Sequence, residues 1–291
     1  MMILAFPDYG DQCQCIATQL HIPLVEIVLH HFPDSESYLR LPPSLSEHVI
    51  VCRSLNQPND KLVELLLCAK TARELGAKRL TLVVPYLGYM RQDIANQPGE
   101  AVSQRIIGSL LADLFDDVIT VDPHLHRISS LDQAIPIKNA ISLTAADDIG
   151  RFLKQTMQNA MLLGPDSESE QWLARVANVT GFDYCVARKE RQGDKQVEIT
   201  LPTRQYANQP IVIVDDMVST GRTIGKAASL LQSMGYIDIS AVVTHPLFCG
   251  DAEAHIRQSG VKTIWRTDSI SHPTACIRLD NLLARAIQAI A

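Results

Sequence analysis

The stretch Ile211–Thr223 reads IVIVDDMVSTGRT and carries the strongest fold signal in the chain. An apolar run typical of a buried parallel strand leads into Asp215 and Asp216, and then through small and hydroxyl residues into a segment of helical period. In such a strand-turn-helix unit, backbone N–H groups, hydroxyls and the positive end of the helix can surround a phosphate. Carboxylates at a strand's carboxyl end lie where ligands bind in open α/β sheets, and they can hydrogen-bond the vicinal hydroxyls of a pentose. The stretch therefore predicts a sugar-phosphate site and suggests ribose 5-phosphate as the ligand.

A simpler interpretation of the turn is an N-capped helix, in which Ser219 or Thr220 only satisfies the free amides of the first helical turn. The two adjacent acids favour the ligand site, because a cap does not need them. The residues expected to contact ribose 5-phosphate are Asp215, Asp216, Ser219, Thr220, Gly221, Arg222 and Thr223.

Elsewhere in the chain, Val- and Ile-rich runs alternate with segments of helical period, which is typical of parallel βα units. This alternation predicts an α/β fold with doubly wound, largely parallel sheets. The other predicted strands are His48–Leu55, Arg79–Tyr86, Asp117–Asp122, Ala160–Gly164, Asp183–Arg188 and Ile237–Thr244, and the predicted helices are Asp60–Leu75, Val102–Leu114, Glu168–Val179, Thr220–Met234 and Asp280–Ile290.

The chain has 291 residues, more than one hydrophobic core usually organises, and its 46% apolar composition is enough for two. The stretch Ser142–Asn159 lacks a strong strand signal and precedes a second βα series, so we place the domain boundary near residue 145. The expected domains are residues 1–145 and 146–278, with residues 279–291 forming a C-terminal helix that could pack back on the first domain.

The formal net charge is −6, and neither half holds a basic run that would bind a nucleic-acid backbone or an anionic membrane. A small polar substrate is therefore favoured over either partner. The seven cysteines are odd in number and lie mostly in apolar stretches, which favours a reducing, cytoplasmic compartment over a disulfide framework. No apolar run reaches the roughly 18 residues that a membrane-spanning helix needs.

The phosphate-turn stretch resembles the phosphoribosyl diphosphate-binding motif, an apolar run followed by D-D-x-x-[DST]-T-G-x-T. Two classes share that motif: the phosphoribosyltransferases and the ribose-phosphate pyrophosphokinases. Several more segments are similar to motifs of the pyrophosphokinases, in the same order and at similar spacing. They are Phe32–Glu36, Pro85–Asp93, Val121–His124, Gly164–Asp166, Lys189–Arg191 and Thr244–Phe248.

The resemblance runs from about residue 15 to the C-terminal helix and implies two phosphoribosyltransferase-type domains in a homo-oligomer. It also implies a Mg²⁺-dependent transfer of the diphosphoryl group of ATP to the 1-hydroxyl of ribose 5-phosphate, giving AMP and 5-phosphoribosyl 1-diphosphate. Matching residue by residue, it implies ATP contacts from Asp34, Ser35, Glu36, Arg91, Gln92 and Asp93, catalysis by Lys189 and Arg191, and a metal site at Asp122, His124 and Asp166.

The chemistry of these residues fits the implied roles, with two alternatives left open. Lys189 and Arg191 are two residues apart, so in an extended loop both would face the transferred group, although a K-E-R string is usually a solvated loop. His124 could hold Mg²⁺ directly or could hydrogen-bond a phosphate or a metal-bound water, because this hard ion prefers oxygen ligands.

Two residues and two segments depart from the family pattern. Ser35 replaces a glycine, Arg222 replaces a small residue, Ser167–Ser169 replaces glycines, and Ile94–Glu100 replaces a basic run. Ser35 matters if its turn needs a positive φ. Arg222 could crowd a phosphate or give it an extra bidentate cation. A phosphoribosyltransferase, or a catalytically silent homologue that binds nucleotides, remains an alternative.

Overall fold

In the computed structural model the chain forms two compact units. The first comprises Met1–Leu143, Ser269–Ser271 and Leu279–Ala291, and the second comprises Thr144–Asp268 and His272–Arg278. The structure describes residues 1–125, 127–192, 196–200 and 209–291, and for residues 168, 188–192 and 196–200 it describes the backbone alone. None of the helices in these ranges is long and apolar enough to cross a membrane.

The first unit is built on a 6-stranded sheet in which every strand pair is parallel. The sheet order is β2-β1-β5-β6-β7-β8, and β3 and β4 form a separate antiparallel hairpin. The strands are β1 (Met2–Ala5), β2 (Leu24–Glu26), β3 (Val28–His31), β4 (Ser37–Arg40), β5 (His48–Cys52), β6 (Arg79–Val83), β7 (Asp117–Val121) and β8 (Asn139–Leu143).

Apolar faces of the surrounding helices cover this sheet. The helices are α1 (Gly10–Leu20), α2 (Pro58–Glu74), α3 (Ser103–Leu114) and the C-terminal helix Asp280–Ile290, with short 3-10 turns at Pro7–Tyr9 and Leu131–Gln133. The C-terminal helix packs against α1, and Gln19 donates a hydrogen bond to Asp280 there. Helix α2 starts at a proline, which is tolerated in a first turn, and is followed by Gly76 at a φ of +96°.

The second unit repeats this plan with five parallel strands in the order β10-β9-β13-β14-β15. A hairpin of β11 and β12 again follows the edge strand. The elements in chain order are α4 (Ala146–Thr156), β9 (Met161–Gly164), α5 (Glu170–Thr180), β10 (Tyr184–Val186), β11 (Arg188–Gln192), β12 (Gln196–Thr200), β13 (Ile211–Val218), α6 (Arg222–Ser233), β14 (Ile239–Pro246), α7 (Ala252–Gln258) and β15 (Val261–Arg266), with a 3-10 turn at Ser167–Ser169.

Both units therefore have the same topological switch point. In each, the first strand lies inside the sheet, the chain moves outward to one edge, and it then returns to the other side of the first strand. The crevice at the carboxyl ends of the two strands flanking the reversal is where open α/β sheets bind ligands. These strands are β1 and β5 in the first unit, and β9 and β13 in the second.

The predicted α/β class with parallel sheets is confirmed. Helices α1 and α7 and strands β2, β3, β4 and β15 were not predicted, and three further differences concern the predicted elements. Strand β13 continues to Val218, beyond the strand that the apolar run predicts over Pro210–Val214, so both acids lie inside it. The stretch Ser142–Asn159 was predicted to lack a strong strand. Strand β8 ends inside its first two residues, and helix α4 fills most of the rest. The backbone of Lys189 and Arg191, predicted as an extended loop, forms a strand of the β11–β12 hairpin.

Candidate functional site

Asp215 and Asp216 lie near the carboxyl end of β13, the strand beside the switch point of the second unit. Strand β13 stays paired with β14 through Asp215 and again through Met217 and Val218, so regular strand geometry fixes the backbone of both acids. Asp216 is buried and Asp215 is partly buried. Asp215 Oδ1 accepts a hydrogen bond of 3.1 Å from the N–H of Asp216.

The turn after β13 contains a glycine that no other residue could replace without strain. Gly221 has a φ of +71°, and an added Cβ would lie 2.8 Å from Ile256 Cγ1 and 2.9 Å from the carbonyl oxygen of Ala252. Gly221 is also the N-cap of α6, and no side chain caps that helix. The alternative in which Ser219 or Thr220 caps the helix is therefore not what the structure shows.

The other residues of the turn leave its outer surface accessible. Thr220, Arg222 and Thr223 are exposed, and Ser219 is half-buried. The segment after β14 supports the turn from the side: the N–H of Phe248 donates to the carbonyl of Val218 at 3.0 Å, and the N–H of Cys249 donates to that of Ser219 at 2.8 Å.

Asp166 joins Asp215 and Asp216 at this edge of the sheet. It follows β9, and its Oδ1 and carbonyl oxygens accept hydrogen bonds of 3.3 and 2.6 Å from the N–H and Oγ of Ser169. Burial, and then the negative charges of Asp216 and Asp166, raise the pKa of Asp215 well above its usual range. The site therefore concentrates carboxylate charge that a cation would stabilise.

Ser169, which binds Asp166, also packs over Gly164. A Cβ added at Gly164 would lie 2.3 Å from Ser169 Oγ.

The other two predicted metal ligands, Asp122 and His124, belong to the first unit and follow β7. Asp122 is buried, has a left-handed backbone with a φ of 37°, and donates its N–H to the carbonyl of Leu143 at 2.8 Å. His124 is partly exposed. Within the described side chains no group of three or more His, Cys, Asp or Glu residues forms a ready metal site. Asp166 belongs to the second unit, so the three predicted ligands come from both units.

The predicted ATP turn Asp34–Glu36 connects β3 to β4 and is exposed. The N–H of Phe32 donates to the carbonyl of Glu36 at 2.8 Å, and the N–H of Glu36 donates to Asp34 Oδ1 at 3.2 Å. Ser35 has a φ of +74°, so this turn does need the left-handed conformation that favours glycine. The turn tolerates serine because the residue is exposed, at some cost in strain.

Arg91, Gln92 and Asp93 follow β6 in an irregular segment. Arg91 is exposed, whereas the Asp93 side chain is 5% exposed and accepts a hydrogen bond of 2.6 Å from Arg127 Nη1. Gln92 Nε2 donates to the carbonyl of Ile94 at 2.9 Å. Asp93 therefore ties this segment to the loop after β7, while Arg91 presents a cation at the surface.

Lys189 and Arg191 lie in β11, paired in register with Ile199 and Val197 of β12. Their side chains lie outside the part of the chain that the structure describes. Their assignment rests on the sequence and on the position of the hairpin, which follows edge strand β10.

A buried charge network at the switch point of the first unit escaped the sequence analysis. Arg53, just after β5, donates Nε to Asp8 Oδ1 at 3.1 Å, donates Nη1 to Glu64, and lies 4.1 Å above the ring of Phe6. Lys61 Nζ pairs with Asp8 Oδ2 at 2.6 Å. The sequence signal is a pair of charged residues in apolar surroundings: Arg53 at the end of a buried strand and Glu64 in the stretch LVELLLC.

Glu64 connects this network to the hairpin that carries the ATP turn. Its Oε1 accepts a hydrogen bond of 2.9 Å from Ser37 Oγ and lies 2.9 Å from His31 Nε2. Because His31 and Ser37 flank the turn on β3 and β4, the buried carboxylate holds both strands of the hairpin against α2.

Two family models match the chain. The N-terminal domain of ribose phosphate pyrophosphokinase matches residues 1–114, and the phosphoribosyl transferase domain matches residues 141–277.

Curated relatives and a solved structure extend along nearly the whole chain. It is 31% identical to the ribose-phosphate pyrophosphokinase of Methanopyrus kandleri over 99% of both chains. It is 34% identical to that of Saccharolobus solfataricus over 87% of both. The crystal structure of phosphoribosylpyrophosphate synthetase from Mycobacterium smegmatis matches with a TM-score of 0.84 at 21% identity, covering 99% of this chain and 98% of that one. This last likeness establishes a shared fold of both units.

Proposed function

Because the chain belongs to the ribose-phosphate pyrophosphokinase family, a family of transferases, we propose that it transfers the diphosphoryl group of ATP to the 1-hydroxyl of ribose 5-phosphate. The products are AMP and 5-phosphoribosyl 1-diphosphate. The observation that carries the proposal is the pair of carboxylates near the end of β13, followed by a turn in which position 221 has room for glycine alone.

Ribose 5-phosphate binds with its vicinal hydroxyls toward Asp215 and Asp216 and its phosphate in the Ser219–Thr223 turn. The uncapped N–H groups at the start of α6 supply donors for the phosphate. Arg222 is exposed at the first turn of that helix, so its guanidinium adds a bidentate cation without crowding the turn. This geometry orients the anomeric hydroxyl for attack on the β-phosphorus.

Mg²⁺ is the expected cofactor, and the carboxylates after β9 and in β13 fit it by their chemistry, while the described side chains are not already gathered into a three-ligand group. Asp166, Asp215 and Asp216 supply the hard oxygen donors that this ion prefers, and their mutual repulsion is relieved by a bound cation. When bound, the ion neutralises charge on the phosphates. Asp122 and His124 are assigned to the metal on the ATP side, with His124 acting through a direct bond or through a metal-bound water.

ATP is assigned to Asp34, Ser35, Glu36, Arg91, Gln92 and Asp93. Arg91 is an exposed cation for the polyphosphate, and the exposed turn offers carboxylate acceptors for the adenine amino group. Asp93 contributes by holding its segment through Arg127. A homo-oligomer completes the proposal, since an exposed turn of this kind can serve a neighbouring subunit. The free thiols of all seven cysteines suit a cytoplasmic enzyme.

Lys189 and Arg191 are assigned to the transferred group, where negative charge grows on the departing AMP oxygen. A cation that acts mainly on that charge contributes to the transition state more than to substrate binding. Lys189→Ala should therefore lower kcat by on the order of 10²–10³ with a far smaller change in either KM. Lys262→Ala is a matched control, because that lysine is 58% exposed in an ion pair with Asp238. Equal kcat values for the two variants would remove Lys189 from catalysis.

The reaction itself is tested by incubating purified protein with ATP, Mg²⁺ and ribose 5-phosphate and separating the products. We expect AMP and 5-phosphoribosyl 1-diphosphate in equal amounts. ADP as the sole nucleotide product, or no turnover, contradicts the proposal. A phosphoribosyltransferase would consume 5-phosphoribosyl 1-diphosphate together with a base, and a silent homologue would bind nucleotide without turnover.

A further inference from the structure

We infer that Arg266, which is not among the predicted substrate contacts, is a positioning residue for the ribose 5-phosphate turn Ser219–Thr223. The inference rests on the proposed function, because it concerns how that site is held. Arg266 is the last residue of β15, and its side chain is 1% exposed.

The guanidinium of Arg266 makes two kinds of contact at once. It donates Nη1 to Glu253 Oε2 at 3.0 Å and Nη2 to Glu253 Oε1 at 3.1 Å, a bidentate pair. Its central carbon lies 4.7 Å above the ring of Phe248. The hydrogen bond from Arg266 is the main reason that the pKa of Glu253 falls to about 2, so the pair is charged at neutral pH. A lysine could make neither the bidentate pair nor the planar stack.

Phe248 and Glu253 each belong to a segment that touches the turn Ser219–Thr223 or the residue before it directly. Phe248 donates its N–H to Val218, and the next residue, Cys249, donates to Ser219. Glu253 lies in α7, whose Ala252 and Ile256 form the wall against which Gly221 packs. Arg266 therefore fixes both supports of the turn relative to β15.

The backbone of Phe248 shows why such support is needed. Its φ of 39° is an unusual conformation for a bulky aromatic residue, and it persists only where the surroundings hold it. The ring also contacts His272 edge-on at 6.3 Å, and Arg266 Nη1 lies 3.3 Å from Nε2 of that histidine. Loss of the stacked guanidinium removes one face of this packing and frees Phe248 to leave the conformation that aims its N–H at Val218.

The test compares Arg266→Lys with Arg257→Lys. Arg257 also binds Glu253, with Nη2 2.9 Å from Oε1, but its side chain is 49% exposed, and its Nη1 donates to the carbonyl of Lys262 at 3.2 Å. Both variants keep a positive charge near Glu253. For Arg266→Lys we expect the KM for ribose 5-phosphate to rise on the order of 10- to 100-fold, with kcat and the KM for ATP changed far less, because a small displacement of a binding group weakens the site it forms. Arg257→Lys should stay within about two-fold of the wild type.

Glu253→Gln is the second variant, and calorimetry of ribose 5-phosphate binding is the second measurement. The glutamine keeps the shape but cannot accept both guanidinium bonds, so it should reproduce the selective loss of ribose 5-phosphate affinity. An unchanged ribose 5-phosphate KM in Arg266→Lys, or equal changes for both substrates, overturns the inference while leaving wild-type synthesis of 5-phosphoribosyl 1-diphosphate intact. A wild-type protein that binds no ribose 5-phosphate overturns the inference and the proposed function together.

Discussion

The two units share a strand order, but the charges at their switch points are balanced in the first unit and unbalanced in the second. At the switch point of the first unit, Asp8 and Glu64 are neutralised by Arg53 and Lys61 within the network. At the switch point of the second unit, burial and the negative charges of Asp216 and Asp166 raise the pKa of Asp215. The first arrangement is balanced by its own cations and stabilises the fold. The second carries electrostatic repulsion that a bound cation would relieve, which is what a ligand site requires.

The helices that follow these switch points extend the comparison. Both begin after a residue with a left-handed backbone, Gln57 before α2 with a φ of 52° and Gly221 before α6 with a φ of 71°. Gln57 is exposed, whereas Gly221 has no room for a Cβ. The turn before α6 therefore needs glycine because α7 packs closely against it, whereas the turn before α2 accepts a side chain.

The largest effect is expected from Arg53→Ala. Removing one partner from a buried ion pair leaves Glu64, whose side chain is 1% exposed, without its main cation, which costs about 3–5 kcal/mol of unfolding free energy. Arg73→Ala is the control. The side chains of Arg73 and its partner Asp116 are 34% and 45% exposed, so their ion pair should contribute less than about 1 kcal/mol. Urea denaturation measures both. Similar losses for the two variants would mean that the network in the first unit is not the stabilising element we describe.

Gly221→Ala should be next in size and should affect the second unit. The left-handed strain costs about 1–2 kcal/mol, and the forced contact with Ile256 and Ala252 adds about 1–3 kcal/mol. Gly235→Ala separates the two terms, because Gly235 has a φ of +91° with nothing within 4 Å of an added Cβ. We expect thermal unfolding to show the larger loss for Gly221→Ala, together with weaker ribose 5-phosphate binding. Equal losses would show that α7 yields and that packing does not restrict this turn.

Asp215→Asn should have the opposite sign from Arg53→Ala. The folded state raises the pKa of Asp215, so the folded protein binds this proton more tightly than the unfolded chain does. Stability from this group is therefore full below the ordinary value of 3.8 and is lost as the pH rises through the raised pKa. Without Mg²⁺ at pH 7, the asparagine variant should be more stable than the wild type by about 1–2 kcal/mol, and the gap should close below pH 4.

Two measurements sharpen this prediction. Asp183→Asn changes an exposed carboxyl just before β10 and should alter stability by less than about 0.5 kcal/mol at any pH. Adding Mg²⁺ should stabilise the wild type more than Asp215→Asn, since the ion replaces the missing positive charge. A wild type more stable than Asp215→Asn at pH 7 without Mg²⁺ would contradict the description of this site as repulsive.

The sequence predicts the central strands well because burial on both faces gives them continuous apolar runs. Strand β13 is an example: its first four residues are all buried, and the pattern IVIV marks it without further information. Strand β8 was missed because it is an edge strand with the composition NAISL, and no residue in it is fully buried. Its place in the sheet depends on pairing with β7, which the local pattern does not encode.

The candidate site also has parts that the local sequence predicts and parts that it does not. The strand-turn-helix unit around Ser219–Thr223 could be predicted because its strand, acids and glycine are adjacent in sequence. The Arg53 network could not, since Asp8 and Arg53 lie 45 residues apart and only the parallel pairing of β1 and β5 brings them together. The role of Arg266 could not be predicted either. In sequence it is only a cation at the end of a strand, and its contacts with Glu253 of α7 and with Phe248 come from tertiary packing.

The smallest effect is expected from Gln57→Gly, which makes the turn of the first unit resemble that of the second. Gln57 holds a left-handed backbone directly before Pro58, and residues that precede proline are further restricted. Glycine removes the strain of about 1–2 kcal/mol but loses more entropy on folding, about 0.5–1 kcal/mol. The net result should be a gain of about 0.5–1 kcal/mol in unfolding free energy, with unchanged kcat and KM values. Asn59→Gly, inside the first turn of α2, should be destabilising by at least a similar amount, because glycine there weakens the helix without relieving strain and removes the acceptor of the hydrogen bond from Tyr89. A loss of stability in Gln57→Gly would show that the glutamine side chain supports the start of α2, and the two turns would then differ in more than the space beside them.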